Sequence, residues 1–260
     1  MNMFRNVRLL EKQKKMAYEY AKKIIDEHNY VFLQNMVKKM EDNAYELYLK
    51  CKENNENYIF IFWTGDNPIT FNRLESIKKL LEISEAHIIY VTVNNLNKFI
   101  LEEHPFHKAY EFLSVTHKSD YLRCYFMNFY GGGYSDIKKP SGSWKKGFED
   151  LKNSDKWING YKWKEENKLL YSWIGNGAYI AKSNTPLTNE WYSEILKYLD
   201  EKFDTLKIYP STHYRDSLET SNNKYPVKWA TFNIIFNKTT DKYNNKLLET
   251  VPMCMCSDYL

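Results

Sequence analysis

Cysteine is scarce, with four copies in 260 residues: Cys51, Cys124, Cys254 and Cys256. Their spacing fits neither a zinc-binding pattern nor a disulfide framework, which favours a reducing compartment. No apolar run is long enough to span a bilayer, and the opening Met-Asn-Met-Phe-Arg-Asn-Val-Arg leads into charged sequence rather than an apolar signal core. A soluble, unsecreted, cytoplasmic protein without a transmembrane segment is expected. Charge of one sign is also missing. The net charge is +4 with acids and bases interspersed, which leaves no basic footprint for nucleic acid. Nor is there a Ser/His/Asp order or a nucleophile elbow, which argues against a hydrolase.

Glycine and proline are absent from Met3 to Lys52, a stretch rich in Lys, Glu, Ala, Leu and Met. That composition predicts two consecutive helices broken near His28 and Asn29, a helical hairpin forming an appendage over residues 1–56. Ala17, Tyr20, Ala21 and Ile24 would make one apolar face, and Val37, Met40, Ala44, Leu47 and Tyr48 another. The hairpin would pack on the fold proper; its lysines also allow peripheral contact with an anionic membrane.

Tyrosine is abundant, with 22 copies, and such amphipathic rings suit carbohydrate faces as well as cores. The same abundance, with many Lys, Asn and Ile, also fits an AT-rich genome. Tyr58-Ile59-Phe60-Ile61-Phe62-Trp63 is the clearest strand, apolar throughout as a strand buried on both faces must be. A helix from Phe71 to Ile83, a strand from His87 to Val93 and a helical segment from Leu96 to Glu103 follow. This is the start of a doubly wound α/β sheet over residues 57–260. His104, His107 and His117 match no metal spacing and read as solvated or locally hydrogen-bonded.

The rest is organised around Lys118 to Lys138. Leu122, Tyr125, Phe126 and Phe129 recur at helical spacing as a buried stripe, while Asp120 and Arg123, three apart, share a neighbouring face. Gly131, Gly132 and Gly133 end the helix, and Tyr134, Ser135 and Asp136 make a short strand ending in an acid. Two acids and a guanidinium beside bare backbone suit a polyhydroxylated, phosphorylated ligand. An Asp–Arg surface pair and a glycine cap would leave the same residues with only structural roles.

Ser-Asp-Tyr-Leu-Arg followed by Tyr-Gly-Gly-Gly-Tyr-Ser-Asp resembles the signature of sugar transferases with a DxD motif. These are family 32 glycosyltransferases, capsular polysaccharide synthesis proteins and, more distantly, the glucosylating domains of large clostridial toxins. The resemblance implies a GT-A fold, in which a Rossmann-like central mixed sheet is flanked by helices. It also implies a nucleoside diphosphate sugar donor, UDP- or GDP-linked, a glycan or other hydroxyl acceptor, and Mn2+ or Mg2+. Asp120 and Arg123 would hold sugar hydroxyls, and Asp136 would be the first acid of the DxD and a metal ligand. The second acid is Lys138 here, and an ammonium has no acceptor for a cation; it can instead neutralise the diphosphate itself.

Further donor-binding candidates are Trp63, placed to stack on the base, Thr64, Arg73, Tyr134, Ser135 and Lys138. Asn176 and Gly177, in a Gly-Asn-Gly turn between two strand-like runs from Leu170 to Ala181, are candidates for the reacting sugar and acceptor; a plain hairpin turn predicts the same residues. After a helix from Thr188 to Phe203, Tyr225 and Trp229 would line the acceptor site and His213 would be a late metal ligand. The reaction expected is hexosyl or pentosyl transfer in polysaccharide or glycoprotein glycan synthesis. The alternatives are a degenerate protein that binds sugar nucleotides without turnover, and a helical adaptor.

Overall fold

Helix α1, Asn2–Asn54, runs without a break in the computed structural model, which describes residues 2–162, 174–213, 215–220 and 223–252. The expected hairpin is therefore a single rod. His28 and Asn29 cost only about half a kcal/mol each relative to alanine in a helix, too little to end one where no glycine or proline intervenes. The face formed by Ala17, Tyr20, Ala21 and Ile24 lies outside the described side chains. The second apolar face is as expected: Val37, Ala44 and Tyr48 are buried, with Met40 and Leu47 packed at the margin.

Strand β1, Tyr58–Trp63, and helix α2, Phe71–Ile83, fall where the sequence puts them. So does β2, His87–Thr92. The helix expected at Leu96 to Glu103 shrinks to a single 3-10 turn, Leu96–Phe99. There the Leu101 N–H donates to the Tyr125 hydroxyl at 2.9 Å instead of to a helical carbonyl. Helix α3, Val115–Phe129, is capped by the Ser114 side chain and runs into β3, Gly132–Ser135. Next come α4, Lys145–Lys152, β4, Ile158–Lys162, and β5, Ile174–Ala181. Helix α5, Pro186–Ile208, starts earlier than expected, because Thr185 and Thr188 form a reciprocal capping box. A further helix α6, Thr231–Lys242, and a short strand β6, Leu247–Leu248, lie beyond the elements expected from the sequence.

The described strands form one mixed sheet in the order β2-β1-β3-β5-β4-β6. Strands β1, β2 and β3 are parallel, whereas β5 is antiparallel to both β3 and β4. Alternation along β1 splits the core into two layers. Tyr58, Phe60 and Phe62 face an aromatic-rich layer with α3, α5 and α6, while Ile59 and Ile61 face a layer with α2 and α4. This is the helix-flanked mixed α/β sheet the sequence implies.

The latter half of α1 closes the β2 edge, which would otherwise offer unpaired backbone to other chains. Glu41 of α1 accepts from the Thr92 hydroxyl and from Asn94 Nδ2 at 2.9 Å, and Asn95 Nδ2 donates to the Glu41 carbonyl at 2.8 Å. Among the described residues no helix is long and apolar enough to cross a membrane.

Candidate functional site

The chain leaves β1 for β2 on one side and returns to β3 on the other, so β1 and β3 flank a topological switch point. In open α/β sheets ligands lie at the carboxyl ends of such strands. Trp63 ends β1 there, and Asp136 follows β3. Because β5 is antiparallel to β3, its amino-terminal residues Asn176 and Gly177 arrive at the same edge.

The helix-to-strand transition that delivers Asp136 depends on glycine. Gly131 and Gly132 take φ of 67° and 81°, and a Cβ on Gly132 would lie 2.3 Å from the Tyr58 ring. The chain can thus turn from α3 into β3 with its strand pressed on β1.

Arg123 is the centre of the constellation. Its Nη1 lies 3.3 Å from Asp120 Oδ1 and donates to the Asn176 carbonyl at 2.9 Å, while Nη2 lies 3.1 Å from Asp136 Oδ1. The guanidinium carbon sits 4.8 Å above the centroid of the Tyr134 ring, a cation–π contact on the same group. Tyr134 also donates its hydroxyl to Asp136 Oδ1 at 2.7 Å. On the other side of the carboxylate, Lys138 Nζ is 3.0 Å from Oδ2. The Asp136 N–H donates to the Gly177 carbonyl at 2.7 Å, and the Ser135 hydroxyl to the Asp136 carbonyl at 2.8 Å.

These charges are inside the protein and shape one another. Burial pushes the Asp120 carboxyl up to about 6, against the pull of Arg123. Burial acts in the same sense on Asp136, but Arg123, Lys138 and the Tyr134 hydroxyl outweigh it and hold that carboxyl below its ordinary value. The two acids therefore have unlike proton affinities, one ionised throughout the physiological range and one titrating just below it.

The Gly-Asn-Gly segment is not a turn. Ile174–Ala181 is one strand laddered to β3 on one side and β4 on the other, while residues 170–173 of the expected first run lie outside the described residues. The glycines serve close approach instead. A Cβ on Gly175 would overlap the Tyr161 ring at 2.0 Å, and one on Gly177 would lie 3.2 Å from Asp136 Oδ2. Among the described residues, the buried Asn176 amide oxygen and the Arg123 Nε have no hydrogen-bond partner.

Three more donor-side candidates lie on β1, just after it and on α2. Arg73 Nη1 donates to the Ile137 carbonyl, tying α2 to the loop between Asp136 and Lys138. Trp63 is half-buried, its indole N–H donating to the Asn67 carbonyl at 2.9 Å. Thr64 has a tethering role, its hydroxyl donating to the Val115 carbonyl at 2.7 Å at the start of α3.

Tyr225 and Trp229 lie against His117 at the amino-terminal end of α3, where Thr64 also attaches. Tyr225 is fully buried, with its hydroxyl 2.8 Å from His117 Nδ1 and accepting from the Ser114 N–H at 3.2 Å. His117 is thus a core residue at the start of α3, locally hydrogen-bonded as expected (Nδ1 3.0 Å from Ser114 Oγ) but not solvated, and burial pushes its imidazole down to about 4. Trp229 is 52% exposed, with its backbone N–H on Glu219. His213 is exposed in the loop after α5, its Nδ1 accepting from the Arg215 N–H at 3.2 Å. Sequence reasoning missed Tyr179, directly opposite Tyr134 in the ladder and buried near Arg123, its hydroxyl without a partner among the described residues. Its signal was the alternation along β5, readable only once the β3 pairing is known.

Comparison with known proteins bears on this centre. Residues 11–138 match the family model described as a glycosyltransferase sugar-binding region containing a DXD motif. That match supports the DXD glycosyltransferase resemblance drawn from the Ser-Asp-Tyr-Leu-Arg and Gly-Gly-Gly-Tyr-Ser-Asp segments. A solved structure titled "PaToxG Glycosyltransferase" overlaps 82% of this chain and 79% of its own, with 13% identity and a TM-score of 0.43. No curated protein matches the sequence.

Proposed function

We infer, from the sugar-binding region at residues 11–138 and the centre it contains, that the chain is a glycosyltransferase using a nucleoside diphosphate sugar, UDP- or GDP-linked. The observation that carries this reading is Arg123, held by Asp120 on its own helix and by Asp136 from the end of β3. The acids and the backbone of β5 present acceptors for sugar hydroxyls, and the cations present charge for a diphosphate. In transfer, the bond from the anomeric carbon to the diphosphate oxygen breaks and its electron pair leaves with the diphosphate. The acceptor oxygen bonds the anomeric carbon, and its proton passes to the departing phosphate.

Such a reaction needs no protein nucleophile. It rests on placing the two substrates together and on stabilising the charge that develops on the leaving group. Asp120 and Arg123 fit the sugar, Trp63 the base, and the acceptor is a glycan or similar hydroxyl.

Glycosyltransferases with a DXD motif typically use a divalent metal. The residues here do not fit one. Asp136 is the single acid of the motif, its Oδ1 takes Tyr134 and Arg123, and its Oδ2 faces the Lys138 ammonium. Hard divalent cations require several oxygen ligands. Among the described residues the one trio of possible ligands within reach of a shared ion is Cys51, Glu56 and His87, at the other end of β2, and His213 belongs to none.

The test is incubation of the protein with UDP- and GDP-linked sugars, following release of the nucleoside diphosphate by chromatography. Release that Asp136→Ala abolishes supports the reading. Binding of a donor with no release, even by slow hydrolysis, would make the protein a sugar-nucleotide binder instead. Neither binding nor release would overturn both.

A further inference from the structure

We propose that the Lys138 ammonium is a resident cation that takes over the diphosphate-neutralising role of a metal, so that this protein engages its donor without a divalent ion. The inference rests on the glycosyltransferase reading and deepens it. The family-model match runs to Lys138, the position at which the signature this sequence resembles has its second acid. A positive side chain there reverses the electrostatics of the position.

Three observations carry the proposal. First, Lys138 is fixed where it is needed, with Nζ 3.0 Å from Asp136 Oδ2. An acid that would hold a metal in the motif holds an ammonium instead. Second, the other oxygen of that carboxylate is committed to the Tyr134 hydroxyl at 2.7 Å and to Arg123 at 3.1 Å. A cation entering at Asp136 would have to displace donors on both sides and would gain no second acid from the motif. Third, the Lys138 side chain is 21% exposed, so it is held at the carboxylate without being sealed from solvent. Arg73, tied to the Ile137 carbonyl, adds a guanidinium to the same loop. A lysine meets phosphate as a point charge, which is what a neutralising group must do.

The test is calorimetric titration of the whole chain with UDP, GDP, dTDP and CDP, each in EDTA and, separately, in manganese without chelator. Uridine, guanosine, thymidine and cytidine serve as controls for the base alone. One nucleoside diphosphate should bind with the same affinity in both solutions. Lys138→Met should weaken it by about 10- to 100-fold, the worth of one charge-assisted hydrogen bond, and leave the matching nucleoside unchanged. Lys138→Arg, which keeps the charge, should restore most of the loss. Binding only in manganese would overturn the proposal while leaving the transferase reading intact. So would a Lys138→Met protein that binds the diphosphate like the wild type. Should that variant fail to fold, the comparison of EDTA with manganese on the wild type still decides. Absence of binding to every diphosphate in both solutions would overturn the transferase reading and this proposal with it.

Discussion

Arg123 Nη2 meets Asp136 Oδ1 at 3.1 Å, joining the middle of α3 to the residue that follows β3. The pair brings two residues thirteen apart in sequence into one centre, with the glycine turn between their elements. Both side chains are largely withdrawn from water, 14% and 20% exposed, so each depends on the other for its charge to be tolerated.

Removing one member should therefore affect both function and stability. Arg123→Ala is expected to destabilise the fold by about 3–5 kcal/mol, because two acids lose their buried partner. Arg123→Lys should retain more of that stability yet lower donor turnover by about 100-fold or more, since a point charge cannot span Asp120, Asp136 and the Asn176 carbonyl at once. Chemical denaturation and a donor-release assay on the two variants check both parts.

The Asp120 carboxyl, pushed up from its ordinary 3.8 to about 6 by burial, gives a signature in pH. Folded protein holds this proton more tightly than the unfolded chain does. Its contribution to stability is thus complete below about pH 4 and is lost as the pH rises to about 6. Asp120→Asn cannot titrate. The stability difference between variant and wild type should shift in the variant's favour between about pH 4 and 6 and be constant above, as read from urea denaturation across the series.

Tyr134→Phe separates the ring from its hydroxyl. The ring remains under Arg123, but Asp136 loses a donor that helps hold its carboxyl down. The Asp136 proton affinity should rise, and its carboxyl signal in 13C-aspartate NMR should titrate at higher pH than in the wild type. An unmoved titration would show that the Tyr134 hydroxyl does not hold this carboxyl down.

Two glycine substitutions should differ in kind. Gly177→Ala places a methyl 3.2 Å from Asp136 Oδ2, whose carboxylate cannot yield without leaving Lys138, Tyr134 or Arg123. It should lower turnover about 10-fold or more with a small change in melting temperature. Gly132→Ala, at a φ of 81° and 2.3 Å from the Tyr58 ring, should instead destabilise the fold by about 2 kcal/mol or more. Melting curves beside turnover distinguish the two.

Much of this centre was legible one residue at a time. The spacing of Leu122, Tyr125 and Phe126 set which face of α3 is buried, and hence where Asp120 and Arg123 could point. The run from Tyr58 to Trp63 announced β1 because a strand covered on both faces has no polar positions to give away. Local composition misled where it was ambiguous. Gly-Asn-Gly reads as a turn in isolation, but it lies inside the continuous strand Ile174–Ala181, where the ladder to β4 shifts register and the Gly177 carbonyl accepts from the Asp136 N–H, and its glycines approach the Tyr161 ring and Asp136. His28 and Asn29 read as a break, yet one helix continues through them.

The sequence by itself determined the periodic elements, the glycine passage from α3 to β3, and the exchange of an acid for Lys138 in the sugar-binding signature. These follow from chain-local physics: side-chain period, backbone freedom and the charge of a single residue. Only the tertiary structure decided that Asn176, Gly177 and Tyr179 join Arg123, that Tyr225 and His117 belong to the core, and that Lys138 is locked onto Asp136. Each of those facts depends on antiparallel register or on packing between distant segments. Such pairings depend on contacts between segments tens of residues apart, and no local pattern encodes which partner a strand or a buried polar group will find.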